Sequence, residues 1–210
     1  MLESLLTRKR RLVAGDHDLL LHFDDAIVDA SGNYTISNSG MVLQSTNSKW
    51  GGKSAQGTSN TRLAISSSDG GLIVPGDFTA EFWGYQTAPT SGSYPCAMYD
   101  PAQNIQLHLN TPSGSRGGYW SGVRPVSAGG LYSLNVWNHF AWVRFGTRFL
   151  CFINGKKQLD YALSGVATIN FTTIFGPNGY GFPGYIDEFA FKQAAKWISD
   201  FDVPSGPYAN

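Results

Sequence analysis

The chain contains few charged residues, few cysteines and no long apolar run. Charged residues make up 14 % of its 210 residues, and lysine plus arginine equals aspartate plus glutamate at fifteen each. A neutral chain has no global field that would draw it to nucleic acid or to an anionic membrane. No segment approaches the about 18 consecutive apolar residues of a membrane-spanning helix. These absences exclude a strongly basic nucleic-acid binder and a helical membrane protein.

Cysteine is scarce, and no secretory leader is recognisable. Cys96 and Cys151 are far apart in apolar surroundings, which favours buried free thiols and leaves a disulfide as the alternative. A signal peptide places basic residues before a long apolar core. Here the basic cluster follows Leu2, Leu5 and Leu6. We therefore expect no export by the general secretory route.

Glycine and aromatic residues are abundant, and they indicate many short strands joined by tight turns. The chain has 25 glycines and 14 % aromatic residues, and its length fits one domain with a substantial core. Residues 137–157 form two aromatic-rich strand patterns that end at Asn154-Gly155. Asn-Gly favours a type I′ hairpin turn, so the segment predicts an antiparallel β protein.

The first fourteen residues differ from the rest of the chain. Leu2, Leu5 and Leu6 recur at helical spacing, and a basic run follows at Arg8, Lys9, Arg10 and Arg11. So short an amphipathic helix is stable only when docked. We expect residues 1–14 to form a helix or arm that anchors a domain of residues 15–210 to partner proteins. A single basic cluster is weak support for nucleic-acid binding.

Four blocks of sequence resemble the laminin-G-like branch of the concanavalin A-like jelly rolls. They are residues 78–83, residues 137–144 with 152–156, residues 182–188, and residues 194–201 followed by Pro204 and Pro207. The resemblance implies an all-β fold, a two-sheet antiparallel jelly-roll sandwich, in a family whose members act as lectins, adhesion modules or substrate-holding appendages. The last block, which we expect to contain one helical turn at residues 194–198, is most similar to versions in bacteriophage virion proteins.

Catalysis is not expected. Glycoside hydrolases of the broader superfamily use a Glu-x-Asp-x-x-Glu signature, which is missing here, and the only glutamates are Glu3, Glu81 and Glu188. Asp187 and Glu188 are consecutive in a predicted strand, so alternation predicts that their side chains face opposite ways. We interpret both as hydrogen-bonding partners for loop backbone or an arginine. A glycosidase remains a third, disfavoured alternative.

No metal or cofactor is expected from the spacing of ligand-type residues. The four histidines show no metal-site or triad arrangement and are interpreted as packed or surface residues. Laminin-G-like modules often hold calcium, and several side chains offer oxygen ligands without forming a recognisable calcium loop. These are Asp24, Asp25, Asp29, Asp100 and Asn104.

The candidate ligand surface is the glycine- and serine-rich segment 111–130. Tyr119 and Trp120 can present flat faces to sugar rings, and Arg116 and Arg124 can donate hydrogen bonds. The alternative is that Trp120 fills the sandwich edge and that the arginines are solvated.

Our leading hypothesis is a non-enzymatic structural protein on the surface of a phage virion, made in the host cytoplasm. It would display the lectin-like jelly roll on the capsid or tail as a homo-oligomer, for instance a trimer, bound to other virion proteins through its arm. Decoration, a fibre role and adhesion to host-surface glycans all fit this display. The alternative is a cellular carbohydrate-binding or adhesion module.

Overall fold

The structure is a computed structural model that describes residues 17–89, 95–109, 118–120, 123–125, 132–165, 167–177 and 179–210. The predicted arm, residues 1–14, and Arg116 lie outside these ranges. In the described part of the chain all regular structure is β-strand, and every strand pairing is antiparallel. No helix there has the length and apolar character to cross a membrane.

The described strands run in chain order as follows: β1 (Leu19–Leu21), β2 (Thr35–Ser39), β3 (Val42–Gln44), β4 (Ser54–Gly57), β5 (Arg62–Ser66), β6 (Leu72–Val74), β7 (Phe78–Gln86), β8 (Cys96–Asp100), β9 (Ile105–His108), β10 (Tyr119–Trp120), β11 (Trp137–Phe145), β12 (Arg148–Ile153), β13 (Lys156–Ala162), β14 (Ile169–Phe171), β15 (Thr173–Ile174) and β16 (Gly184–Lys192).

Two sheets form the sandwich. Sheet A has eight strands in the order β13-β12-β11-β7-β16-β4-β3, with β1 also paired to β16. Sheet B has six strands in the order β10-β9-β8-β15-β5-β2, and β14 pairs with β6 in a small separate ribbon. The predicted all-β antiparallel sandwich, consistent with a jelly roll, is confirmed.

The hairpin that the sequence predicted is present between β12 and β13. Asn154 and Gly155 have φ of 50° and 74°, the two successive positive values that a type I′ turn requires. The Asn154 side chain also accepts a hydrogen bond from the backbone of His139 at 2.9 Å, which ties the turn to β11. Local turn chemistry and a tertiary contact therefore fix the same geometry.

Aromatic side chains fill the space between the sheets. Phe82 stands near the middle of β7, and its ring centroid lies 5.3 Å from that of Phe140, 5.1 Å from Phe175 and 5.7 Å from Phe182. All four side chains are buried. Because burial of one such side chain contributes about 1.5–3 kcal/mol, this cluster is a main source of stability. Cys96 and Cys151 are also buried, as free thiols.

The C-terminal strap, residues 193–210, covers part of the outer face of sheet A. Its Trp197 and Phe201 rings stack 3.8 Å apart, and Phe201 packs on Phe152 of β12. The predicted helical turn at residues 194–198 is wrong, because the segment is irregular. Thr79 explains this: its hydroxyl donates to the Ala194 carbonyl and accepts from the backbone amide two residues later. Those contacts hold the segment against the sheet.

A β-bulge interrupts β16. The register with β7 shifts between Asp187 and Ala190, and Glu188 has a φ of 51°. The strict alternation predicted for Asp187 and Glu188 is therefore broken at this point. Asp187 accepts hydrogen bonds from the backbone of residues 49 and 50, whereas Glu188 contacts His22 and the backbone of Tyr208 in the strap.

Candidate functional site

Three aromatic side chains lie side by side on the outer face of sheet A. Trp137 of β11 pairs in register with Tyr85 of β7, which pairs with Tyr185 of β16. Side chains on one face of paired strands at the same register are direct neighbours. All three are half-buried. We call Trp137, Tyr85 and Tyr185 the aromatic row.

The rings of the aromatic row touch edge to face. The Tyr85 and Trp137 centroids are 5.7 Å apart with an interplanar angle of 62°, and the Tyr85 and Tyr185 centroids are 5.9 Å apart at 74°. Such T-shaped contacts stabilise each other by about 0.5–1.5 kcal/mol beyond simple burial. These contacts therefore fix the tilt of each ring relative to its neighbour on the sheet surface.

Amide side chains flank the aromatic row. Asn47 accepts a hydrogen bond from the Trp137 indole at 3.2 Å. At the other end, Gln56 of β4 is the register partner of Tyr185, and its side-chain oxygen accepts a hydrogen bond from Gln44 of β3 at 2.8 Å. We call Asn47, Gln56 and Gln44 the amide flank. Amides both donate and accept, so this surface joins apolar ring faces to hydrogen-bonding groups that carry no charge.

The neighbouring row on the same face is closed. Trp83 pairs in register with His139 and Asp187, and all three are buried. Trp50 packs edge-on against Trp83 at 5.3 Å, and the Lys49 ammonium lies 4.1 Å from the Trp83 ring centroid. The cover of sheet A thus reaches Trp137, which packs against this closed cluster, and Tyr85 and Tyr185 lie half-buried beside it.

The site predicted in segment 111–130 is only partly described. Tyr119 lies in β10, and Arg124 is exposed. Trp120 is only 6 % exposed, and its ring lies 5.3 Å from Phe149. The packing expected under the alternative interpretation is therefore present at Trp120. Arg116 and the Tyr119 side chain lie outside the described part of the structure.

Trp120 nevertheless borders an open pocket of about 270 Å³ beside the edge strands β10 and β13. Its lining is mainly apolar and consists of Trp120, Val123, Tyr161, Leu163, Ser164, Gly165 and Ala167. Of the predicted ligand residues that the structure describes, Trp120 therefore lines a concavity and Arg124 does not.

The three carboxylates considered for catalysis are engaged within the fold. Glu81 is 1 % exposed, accepts a hydrogen bond from Tyr208 at 3.1 Å and lies 3.0 Å from His139 Nε2. It also pairs with Lys196 of the strap. Burial alone would raise the pKa of Glu81, but the hydrogen bond and charge of His139 together with Lys196 hold that pKa below its ordinary value. The carboxylate stays charged as part of a buried network.

Asp187 and Glu188 have structural partners as well. Burial raises the pKa of Asp187 to about 7, although two backbone N–H donors oppose that rise. Glu188 lies 2.9 Å from His22 Nδ1, and this contact raises the pKa of His22 to about 9. The predicted role of these carboxylates as hydrogen-bonding partners agrees with these contacts. The strap and the residue 49–50 segment lie against them, so they do not line an open cleft.

Three of the oxygen ligands considered for calcium, Asp29, Asp100 and Asn104, accept hydrogen bonds within the fold. Both Asp29 oxygens accept backbone N–H groups of its own turn, at 2.8–3.0 Å. Asp100 likewise accepts hydrogen bonds from the backbone N–H groups of residues 102, 103 and 170. The Asn104 amide oxygen accepts from Gln106, and Asp25 is exposed beside Lys53. Among the described residues, no cluster of three or more acidic, histidine or cysteine side chains forms a metal site.

Comparison with known proteins places this geometry in a family. Residues 56–196 match the concanavalin A-like lectin/glucanases superfamily, so the chain belongs to it. No curated protein matches the chain significantly.

Several solved structures share this fold at low sequence identity. Domain 4 of AbnA, an extracellular GH43 arabinanase from Geobacillus stearothermophilus solved with arabinotriose, is 18 % identical with a TM-score of 0.61, covering 84 % of this chain and 92 % of that one. The receptor-binding domain of botulinum neurotoxin type G is 13 % identical with a TM-score of 0.55, covering 86 % of this chain and 48 % of that one. At these identities the likeness establishes the lectin-like jelly roll alone.

Sequence analysis missed the aromatic row as a site. Tyr85 contacts Trp137 and Tyr185, which come from strands far away in the sequence. The available signal was an aromatic residue near one end of each of three strong strand patterns. Only the strand order β11-β7-β16 brings those residues together.

Proposed function

We propose that this protein is a non-enzymatic carbohydrate-binding module whose glycan site is the aromatic row with its amide flank. The observation that carries the proposal is the register of the half-buried rings of Trp137, Tyr85 and Tyr185 on the outer face of sheet A. A sugar ring has an apolar C–H face and a rim of hydroxyls. The half-buried rings can contact the apolar face of the sugar, and the amides can form hydrogen bonds with its hydroxyls.

The position of the carboxylates supports a binding role over hydrolysis. Glycoside hydrolysis needs two carboxyl groups that flank the scissile bond in a cleft. Glu81, Asp187 and Glu188 are each at most 1 % exposed and are bonded to parts of the fold. No carboxylate belongs to the aromatic row or its amide flank. A ligand held there meets no general acid or base from these residues.

The biological setting we propose is display on a phage virion, on the capsid or the tail. Its support is the sequence resemblance of the closing block and the amphipathic, basic arm. Residues 1–14 would join a homo-oligomer to other virion proteins and leave the jelly roll facing outward toward host-surface glycans. A cellular carbohydrate-binding or adhesion module is the alternative, and the same aromatic row would serve it.

A second candidate site is the pocket beside Trp120, the residue that the sequence analysis grouped with Arg116, Tyr119 and Arg124 as a ligand surface. Its support is its concavity and its apolar lining. The aromatic row is favoured because its three rings and three amides together match both chemical faces of a sugar.

The binding test is a glycan array followed by titration of the purified protein with the best ligand. The double variant Tyr85→Ala/Tyr185→Ala should weaken binding at least about tenfold, since central aromatic contacts dominate binding energies. The matched control is Tyr99→Ala, which removes a half-buried tyrosine from the outer face of sheet B. Unchanged affinity of the double variant, with the fold intact by circular dichroism, would reject the aromatic row.

The setting has its own test. Particles assembled with a chain that lacks residues 1–14 should contain little of the protein, while the shortened chain still binds glycan. Normal incorporation of the shortened chain, together with free protein in the host, would contradict display through the arm.

A further inference from the structure

The shape of the aromatic row restricts the ligand more than the proposed function does. We infer, on the basis of that function, that the row binds a single, neutral polysaccharide chain lying across the strands. The register, the angles between the rings and the uncharged side chains of the site carry this inference.

The direction follows from the sheet. The register continues from Trp137 through Tyr85 and Tyr185 to Gln56 and then to Val42 of β3. Each step is one inter-strand distance of about 4.8 Å, so the row extends about 19 Å perpendicular to the strands. A sugar unit in an extended chain is comparable in length to one step, so the row accommodates roughly four units. A chain that follows the row must cross the strands.

The ring angles exclude a flat ligand surface. Tyr85 is inclined by 62° to Trp137 and by 74° to Tyr185, so the three rings share no common plane. A crystalline polysaccharide presents one plane and would contact at most one or two ring faces. A single chain can turn successive sugar units to follow rings of different tilt. The different tilts of the rings therefore favour binding of an individual polysaccharide chain over binding of a crystalline surface.

The site is also free of charged members. The aromatic row and the amide flank consist of tryptophan, tyrosine, asparagine and glutamine only. Lys49 is directed to the closed row, with its ammonium over the rings of Trp83 and Trp50. An acidic sugar would find no cation within the six side chains of the site. A neutral polysaccharide chain needs no cation for binding.

The test is a series of soluble oligosaccharides, from the disaccharide to the octasaccharide, of the neutral glycan that binds best. Affinity should rise at least about tenfold up to roughly four or five units and then stay constant, because further units extend beyond the row. Raising salt from about 0.05 to 0.5 M should change the affinity of the octasaccharide less than about twofold, since no ion pair contributes.

Matched variants locate the effect. Gln56→Ala should lower affinity for the octasaccharide and leave the disaccharide almost unaffected, whereas Tyr99→Ala should change neither. Full affinity for a disaccharide, a requirement for acidic sugars, or binding confined to crystalline polysaccharide would each overturn this inference. Each of these results would still agree with the proposed carbohydrate binding at the aromatic row, provided that the double variant Tyr85→Ala/Tyr185→Ala loses that binding. Absence of carbohydrate binding altogether would overturn both.

Discussion

Replacing Glu81 with glutamine removes the charge at the centre of the network beneath the C-terminal strap. The carboxylate accepts from Tyr208, contacts His139 and pairs with Lys196, and two of those residues belong to the strap. Glutamine has nearly the same shape, so Glu81→Gln changes charge and hydrogen-bond polarity without opening a cavity. The variant therefore measures what the buried charge contributes to holding the strap on sheet A.

The expected loss is a large part of the protein's stability. Breaking a buried ion pair by neutralising one partner costs about 3–5 kcal/mol when the other charge remains buried. Lys196 is 31 % exposed and can recover part of its hydration, which reduces that figure. The amide oxygen of glutamine also keeps one acceptor. We therefore expect Glu81→Gln to lower the free energy of unfolding by about 2–3 kcal/mol.

Urea denaturation at pH 7 measures this difference, provided that the slope of the transition is unchanged. Lys156→Ala is the matched control, since it removes an ion pair with Asp200 whose side chains are 69 % and 54 % exposed. Such an exposed pair contributes about 0–1 kcal/mol. Strap detachment can be followed separately as faster amide hydrogen exchange in residues 193–210.

The pH dependence identifies the cause. The pKa of Glu81 is lower in the folded protein than its ordinary value of 4.5, so its contribution is complete above the unfolded pKa. It is lost as the pH falls through the folded pKa. The gap between the wild type and Glu81→Gln should therefore narrow in acid. A gap that is absent at pH 7, or equally wide in acid, would refute the assignment to the charge.

Three further outcomes are expected. Arg144→Met should lower the free energy of unfolding by about 2–4 kcal/mol in urea, because fully buried Arg144 donates to backbone carbonyls that would lose their partner. The free energy of unfolding should fall by about 1–2 kcal/mol as the pH rises from 6.5 through about 9. Glu188 raises the pKa of His22 in the folded protein, so the stabilising charge on His22 is lost over that range. His22→Gln should flatten that slope, and an unchanged slope would contradict it. Trp120→Ala should lower the melting temperature through lost packing on Phe149 yet leave glycan affinity unchanged, whereas lost affinity would favour the pocket.

Local signals were enough to predict the fold class and several elements. The Asn154-Gly155 turn depends on neighbouring residues, so it can be predicted from a single sequence. Sheet order depends on contacts between segments far apart in sequence. For the same reason the helical turn expected at residues 194–198 failed: Thr79, over a hundred residues earlier, bonds to that backbone.

The candidate site was less predictable than the fold. Its three aromatic residues belong to strong strand patterns, and such residues are usually buried in a β-sandwich core. Trp120 stood out instead because a glycine-rich segment surrounds it, yet that residue packs on Phe149. What separates a core aromatic from a surface aromatic here is the face of the strand together with the path of the strap. Neither is encoded near the residue itself.

The cover of sheet A explains why the aromatic row consists of tyrosine and tryptophan. A purely apolar outer face must be covered, and the strap meets this need over Ala141, Val143, Leu150 and Phe152. Rings that carry a polar atom can remain half in water. Had the row only a structural role, aliphatic residues beneath a longer strap would bury more apolar area. The choice of amphipathic rings, edged by uncharged amides, is the one expected of a surface that must stay open and still bind an apolar face.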